Sequence, residues 1–158
     1  DASKKNYPKI NFKFCDLINE KIPFEDEFFD VISSKSLVEH FYYPEKIFQE
    51  MNRVLKKDGK IVTMTPDWEL NYKIFYEDYT HRTPFSKDSL RDIHLINGFK
   101  EVKIFSFKQL PILWHKNIIN SLMNFLSEIT RLFIPNYFKK YKWVRFSKEI
   151  LLLSIAKK

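Results

Sequence analysis

The pattern that most constrains this chain is a strand, helix, strand succession in its first half. Residues 28–33 (FFDVIS) form a short apolar run, and residues 60–65 (KIVTMT) a second, β-branched one of the kind buried in a parallel sheet. Between them a helical period opens near Pro44 and Glu45 and places Ile47, Phe48, Met51, Val54 and Leu55 on one face. It is expected to gather Lys56 and Lys57 in its last turn before Gly59. Two strands joined this way run parallel through a right-handed crossover. Further strands are expected at 10–14 (INFKF), 99–107 (FKEVKIFSF) and 146–156 (FSKEILLLSIA). A second helix is expected at about 87–97, with Leu90, Ile93, His94 and Ile96 partly inward and Asn97-Gly98 as its stop. After Pro111 a long amphipathic period sets Ile118, Ile119, Leu122, Phe125, Leu126, Ile129 and Phe133 opposite Asn117, Asn120, Ser121, Asn124, Ser127, Glu128 and Arg131, ending at Pro135.

Composition narrows the setting. At 158 residues and 44% apolar, the chain fills one ordinary core. It lacks the roughly 18 uninterrupted apolar residues of a spanning helix, and Asp1 does not open a secretory signal, so a cytoplasmic protein is expected. The single Cys15 excludes an intrachain disulfide and a cysteine-based metal cluster. No spacing of His or acidic residues resembles a metal site. Charge is uneven: residues 1–108 carry 18 basic and 18 acidic side chains, residues 109–158 carry 9 and 2. The basic tail, interleaved with Tyr137, Phe138, Tyr141 and Trp143, is either a solvated face or a surface for phosphate or anionic membrane. Nucleic acid is not the expected partner.

The succession IPFEDEFFDVISSKSLVEHF and PEKIFQEMNRVLKKDGKIVTMTPD resembles the centre of the class I S-adenosylmethionine-dependent methyltransferases, in particular the small-molecule group that includes ubiquinone-biosynthesis enzymes. The motifs fall in order over residues 10–107: Asp16 as the acid ending a third strand, the Pro23-Phe24 turn, Phe29 to Ile32 as a fourth strand, the Glu39-His40 pair, Arg53 to Gly59, and Ile61 to Thr65 as a fifth. The resemblance implies a Rossmann-like, doubly wound, mostly parallel sheet with an antiparallel last strand. It departs from the family at Lys57-Asp58-Gly59, where proline-glycine-glycine is usual. The chain has only two glycines, Gly59 and Gly98, so the family's first strand and glycine loop are missing from it. Residues 1–158 are therefore expected to be a partial methyltransferase domain, an N-terminally truncated one whose unaided binding of cofactor is weak.

The resemblance also implies site residues. S-adenosyl-L-methionine is the cofactor. Asp1 would bind the ribose hydroxyls, Asp16 the adenine amino group, and the Leu17 backbone with the turn at Ile22 to Phe24 would bound the ring. Ser33, Ser34 and the residues to Ser36 would border the methionine part and the acceptor. From the residues alone, Asp16 reads equally as a turn-capping carboxylate. Glu39 and His40, adjacent in sequence, are not expected to form a dyad. His81, in YEDYTHRTPF, is the candidate catalytic base, with pinning of its loop as the alternative. His94 and His115 have no partner pattern. The expected activity is methyl transfer to a small molecule or a glycan or lipid-linked precursor. Two other readings stand beside it: a cofactor-free remnant acting as a binding module, and a basic peripheral membrane-binding module. Residues 109–145 are expected to be a helical basic insertion before the final strand, serving as a lid over the acceptor, as extra core, or as a contact for anionic lipid.

Overall fold

The computed structural model describes residues 10–114 and 118–158. Four strands form one sheet: β1 (Phe29–Lys35), β2 (Leu55–Pro66), β3 (Lys100–Lys108) and β4 (Ile150–Lys157), in spatial order β1-β2-β4-β3. β1 and β2 are parallel, and β4 lies between β2 and β3, antiparallel to both. Three strands therefore run one way and the last runs against them, as expected of the mixed α/β fold. Ser34, Thr63, Ser154 and Ile104 share one row across the sheet.

Helix α1 (Pro44–Val54) carries proline in its first turn, where the absent N–H is no loss, and buries Ile47, Phe48, Met51 and Val54. It ends earlier than expected, because Leu55 is already extended and pairs with Phe29. Lys56 and Lys57 consequently lie on β2, and the turn is made by Asp58 in the left-handed region at φ 61°. After the short α2 (Trp68–Asn71) comes α3 (Lys87–Ile96), which opens on a reciprocal Ser86–Ser89 capping box and stops where Gly98 takes φ 84°. Leu90, Ile93 and His94 are buried, but Ile96 points to solvent. Val38, Phe48 and Met51 meet Leu55 and Ile61 of β2, Leu90 and Ile93 of α3, Phe99, and Leu152 and Ala156 of β4 in one core. At the sheet's margin the burial is looser, with Val31 and Phe105 each more than half exposed.

Three expectations are corrected. The strand expected at 10–14 is not formed: those residues join no ladder, and the outer edge of β1 has no partner among the described residues. The last strand starts at Ile150, because 142–148 close into helix α5 (Lys142–Lys148). The third concerns α4 (Ile118–Phe133), which forms where its period places it but turned over. Asn120, Ser127 and Thr130 are buried, whereas Ile119, Leu122, Phe125, Leu132 and Phe133 are more than half exposed. Its inward polar face is held by named contacts. Trp143 Nε1 donates to Thr130 Oγ1 at 3.0 Å, Lys148 Nζ to the Arg131 carbonyl at 3.1 Å, and Lys108 pairs with Glu128 at 2.6 Å. No described helix is long and apolar enough to cross a membrane.

Candidate active site

Open α/β sheets place ligands beyond the carboxyl ends of their parallel strands, and here those ends carry unusual geometry. β1 ends at Lys35, and Ser36 follows in the left-handed region at φ 49°, its N–H donating to the Met64 carbonyl at 2.9 Å. The chain then makes one 3-10 turn, Val38–His40. β2 ends at Pro66, and the buried Asp67 caps α2, its carboxylate accepting from the N–H groups of Glu69 and Leu70 and from Ser106 Oγ. Asn71 clips α2 to the start of β4, donating to the Ile150 carbonyl and accepting from the Ile150 N–H.

The polar loop after α2 folds back onto the turn at 38–41. The N–H groups of Arg82 and Thr83 both donate to the Glu39 carbonyl, at 2.8 and 3.0 Å, and Thr83 Oγ1 donates to the Phe41 carbonyl at 2.7 Å. That lacing brings His81 beside His40, with ring centroids 4.9 Å apart. His81 Nδ1 is 2.6 Å from the Phe75 carbonyl, so Nδ1–H is the donor and Nε2 keeps its lone pair. Phe75 also packs against that ring at 4.5 Å. Thr80 Oγ1 donates to Asp78 at 2.6 Å and lies 2.9 Å from His40 Nδ1. The Thr80 hydroxyl and backbone N–H hold the Asp78 carboxyl below its ordinary range.

Glu39 is fully buried beneath the two rings. Its Oε2 accepts from Thr65 Oγ1 at 3.1 Å, while Oε1 has no hydrogen-bond partner among the described residues. Loss of water pushes its pKa up, against the smaller pull of its hydrogen bonds and the neighbouring imidazoles. Glu39, His40 and His81 open on a cavity of about 560 Å³, to which Lys35 at the end of β1, Ser36 just beyond it and Arg145 from α5 contribute. Lys139, from the same cavity wall, pairs with Glu77 at 2.6 Å and ties residues 136–140 to the loop.

The structure thus brings His81 together with both members of the Glu39-His40 pair, although no hydrogen bond joins Glu39 to His40 directly among the described residues. Adjacent residues diverge on an α-helix, but these sit on a single 3-10 turn whose ends are pinned by another loop. Ligating atoms of all three lie within 4.8 Å of one another, a grouping that the sequence did not suggest because His81 is 41 positions beyond His40. The other expected residues that are described make separate contacts. Asp1 is outside the described residues, as is His115. Asp16 caps its own turn, Oδ1 accepting from the Ile18 N–H at 3.0 Å and Oδ2 from Asn19 Nδ2 at 2.8 Å, and those bonds hold its pKa down. Leu17 packs against the core. Ser33 is exposed on β1, while Ser34 is buried with an Oγ that has no partner among the described residues. His94 is a core residue, its Nδ1 2.6 Å from the Leu90 carbonyl and its Nε2 3.3 Å from Ser154 Oγ. Thr65 and Asn71 escaped the sequence reading; each is defined by a contact far along the chain.

The methyltransferase-domain family matches this chain over residues 1–63. The crystal structure of an S-adenosylmethionine-dependent methyltransferase from Archaeoglobus fulgidus is similar over 99% of this chain and 71% of its own, with a TM-score of 0.62 and 22% identity. The fold is thus similar to that of S-adenosylmethionine-dependent methyltransferases, and the matching domain family covers the first 63 residues. A putative methyltransferase from Bacillus halodurans aligns over 87% of this chain and 73% of its own, at a TM-score of 0.53 and 22% identity. Phosphoethanolamine N-methyltransferase 2 of Haemonchus contortus, solved with S-adenosyl-L-methionine, aligns over 91% of this chain and 36% of its own, at a TM-score of 0.52 and 15% identity. Among curated sequences, an uncharacterised protein of Methanocaldococcus jannaschii is 34% identical over 70 residues; the match takes in 44% of this chain and about a third of that protein's length (34%).

Proposed function

We propose that this protein transfers a methyl group from S-adenosyl-L-methionine to a heteroatom of a small molecule or of a glycan or lipid-linked precursor held in the cavity over His40 and His81. The observation that carries the reading is the meeting of Glu39, His40 and His81 at the carboxyl ends of β1 and β2, where ligands of this fold are approached. When bound, S-adenosyl-L-methionine supplies an electrophilic methyl on a sulfonium. Toward an acceptor lone pair meeting that methyl, the chain's task would be positioning, exclusion of water and removal of the acceptor's proton. His81 Nε2 is the group for that proton, because Nδ1–H is spent on the Phe75 carbonyl, and Asp78 Oδ2 at 3.9 Å favours the imidazolium that results. The buried, unpartnered Ser34 Oγ fits a polar ligand at the end of β1. Asp16, with the Leu17 backbone, serves the adenine side by giving up its turn bonds to Ile18 and Asn19.

The test uses the protein expressed from its intact gene. Calorimetry should detect S-adenosylhomocysteine, and His81→Ala should slow methyl transfer to a panel of hydroxyl and amine acceptors while leaving that affinity unchanged. No cofactor binding defeats the proposal; an unchanged rate over pH 6 to 8 gives His81 a structural role.

A second reading is favoured by α4. Its outward apolar face continues into exposed Tyr137 and Tyr141 with Lys140, Lys142 and Arg145 alongside, a composition suited to lying on an anionic lipid surface and presenting the cavity to a lipid-linked acceptor. Sedimentation with anionic vesicles, lost in high salt and on replacing Lys140 and Lys142 by Glu, is the expected result. Equal retention on neutral vesicles would refute it.

A further inference from the structure

We propose that Glu39, His40 and His81 form a binding site for a divalent cation of the borderline class, Zn²⁺ being the type, at the floor of the cavity. The inference rests on reading that cavity as the acceptor site and names what would hold the acceptor there. Three groups with lone pairs converge, with ligating atoms within 4.8 Å of one another.

Each lone pair is set by a partner behind it. His81 directs Nδ1–H at the Phe75 carbonyl at 2.6 Å. For His40 the chain of donors begins at Asp78, whose carboxylate takes the Thr80 hydroxyl hydrogen at 2.6 Å; the Thr80 oxygen, 2.9 Å away, is then left to accept from His40 Nδ1–H. Both rings are thereby held in the tautomer that offers Nε2, through a carbonyl in one case and a carboxylate relayed by a hydroxyl in the other. This is the support that metal-ligating histidines receive. Asp78 Oδ2 lies 3.9 Å from His81 Nε2, too far to accept a hydrogen bond that would keep a proton on that nitrogen. Glu39 supplies the third ligand and a second, independent reason: Oε1 is a fully buried carboxylate oxygen with no partner among the described residues. A cation bound by the three would satisfy that oxygen together with the two imidazoles.

The stereochemistry is within reach. Bonds of roughly 2.0–2.2 Å to nitrogen and carboxylate oxygen put neighbouring tetrahedral ligands about 3.4 Å apart, so the cluster would close by roughly 1–1.5 Å on loading. Three protein ligands leave a fourth position, and the cavity lies on that side. Two imidazoles with one carboxylate favour Zn²⁺, Fe²⁺ or Co²⁺ over Mg²⁺ or Ca²⁺. A cation there takes over the work given above to His81 Nε2: it lowers the pKa of a bound acceptor hydroxyl, whose proton passes to solvent water. The acceptor class that follows is an oxygen nucleophile.

The experiment is calorimetric titration of the chelator-treated protein with Zn²⁺, and absorption spectroscopy with Co²⁺ as the probe. One cation per chain should bind, with imidazole-dependent Co²⁺ bands. Glu39→Gln and His81→Asn should each weaken Zn²⁺ by about 100-fold or more, and Thr80→Val, which leaves all ligands in place, by about 10-fold, as losses of supporting partners do. Circular dichroism checks that the variants fold, and His40→Gln, at a partly exposed position, is the substitution of choice should Glu39→Gln unfold. No binding, or binding that no variant weakens, overturns the site. The two readings fail separately: methyl transfer that persists in chelator with no bound cation removes the metal and leaves the enzyme, whereas Zn²⁺ bound at this site without any affinity for S-adenosylhomocysteine removes the methyltransferase and leaves the metal.

Discussion

Replacing Arg53 tests how the turn that leads into β1 is held. Its guanidinium donates from Nε and Nη2 to the two oxygens of Glu50, at 2.9 and 2.8 Å, and from Nη1 and Nη2 to the carbonyls of Phe24 and Ile22, at 3.0 and 2.9 Å. Glu50 in turn accepts from the Ile22 N–H at 2.9 Å, so a single planar fork joins α1 to the Pro23-Phe24 turn. The two carbonyl bonds are worth about 1 kcal/mol each. The Glu50 pair, with both side chains 21% exposed, adds about 1 kcal/mol after screening, and the Asp26 contact, with its carboxylate 75% exposed, contributes about zero. Arg53→Ala should therefore cost about 3 kcal/mol. A lysine, having the charge but not the fork, recovers only the Glu50 part, so Arg53→Lys should still cost about 2 kcal/mol. Urea unfolding reads this directly: with a slope of about 2 kcal/mol/M, the midpoint should fall by about 1.5 M for alanine and about 1 M for lysine. A lysine variant within about 0.5 kcal/mol of the parent, the scatter of ordinary surface changes, would refute the argument that the planar geometry holds the turn.

Burial of His94, opposed by its bond to the Leu90 carbonyl, holds its folded pKa below the ordinary 6.5. Below pH 6.5 the unfolded chain then binds more protons than the folded one, so the contribution of His94 is fully present above that pH and is lost as pH falls through the folded pKa. Melting temperature measured from pH 7.5 down to 5 should decline more steeply in the parent than in His94→Asn; parallel curves would exclude the mechanism. Glu39 has the opposite sign, because its raised pKa favours the protonated folded form and its contribution fades as pH rises through that value. A Glu39→Gln variant should accordingly lose less stability than the parent as pH rises above 4.5. Asp16→Ala should weaken S-adenosylhomocysteine binding about tenfold in the protein from its intact gene, by removing a polar partner of the ligand; unchanged affinity would leave Asp16 as a turn cap alone.

What could be read from the sequence divides along a physical line. The β1-α1-β2 unit, α3 and β3 are each declared by a local period and a local stop: Pro44 opens α1 and Gly98 closes α3, whereas the antiparallel sense of the last strand, expected at 146–156, comes from the family resemblance. Where a boundary depends on the neighbour, the local signal misleads. Leu55 fits the apolar face of α1 as well as any residue in it, yet pairing with Phe29 draws it into β2. The run at 10–14 has strand composition, but composition supplies no partner, and those residues stay unpaired.

The same division governs the site and α4. Glu39 and His40 could be picked out because they are adjacent, and His81 because its loop is polar and aromatic, but their meeting depends on two N–H groups of Arg82 and Thr83 reaching one carbonyl of Glu39. No spacing encodes that. An amphipathic period, likewise, says which residues share a face and is silent on which face turns inward. In α4 the inward choice is made by Trp143, Lys148 and Lys108, which offer the polar stripe of Thr130, Arg131 and Glu128 better partners than the core offers its leucines and phenylalanines. The exposed Ile119, Leu122, Phe125 and Phe133 are thus the consequence of polar contacts made on the other side, and an account of what α4 does must start from the apolar face those contacts leave outside.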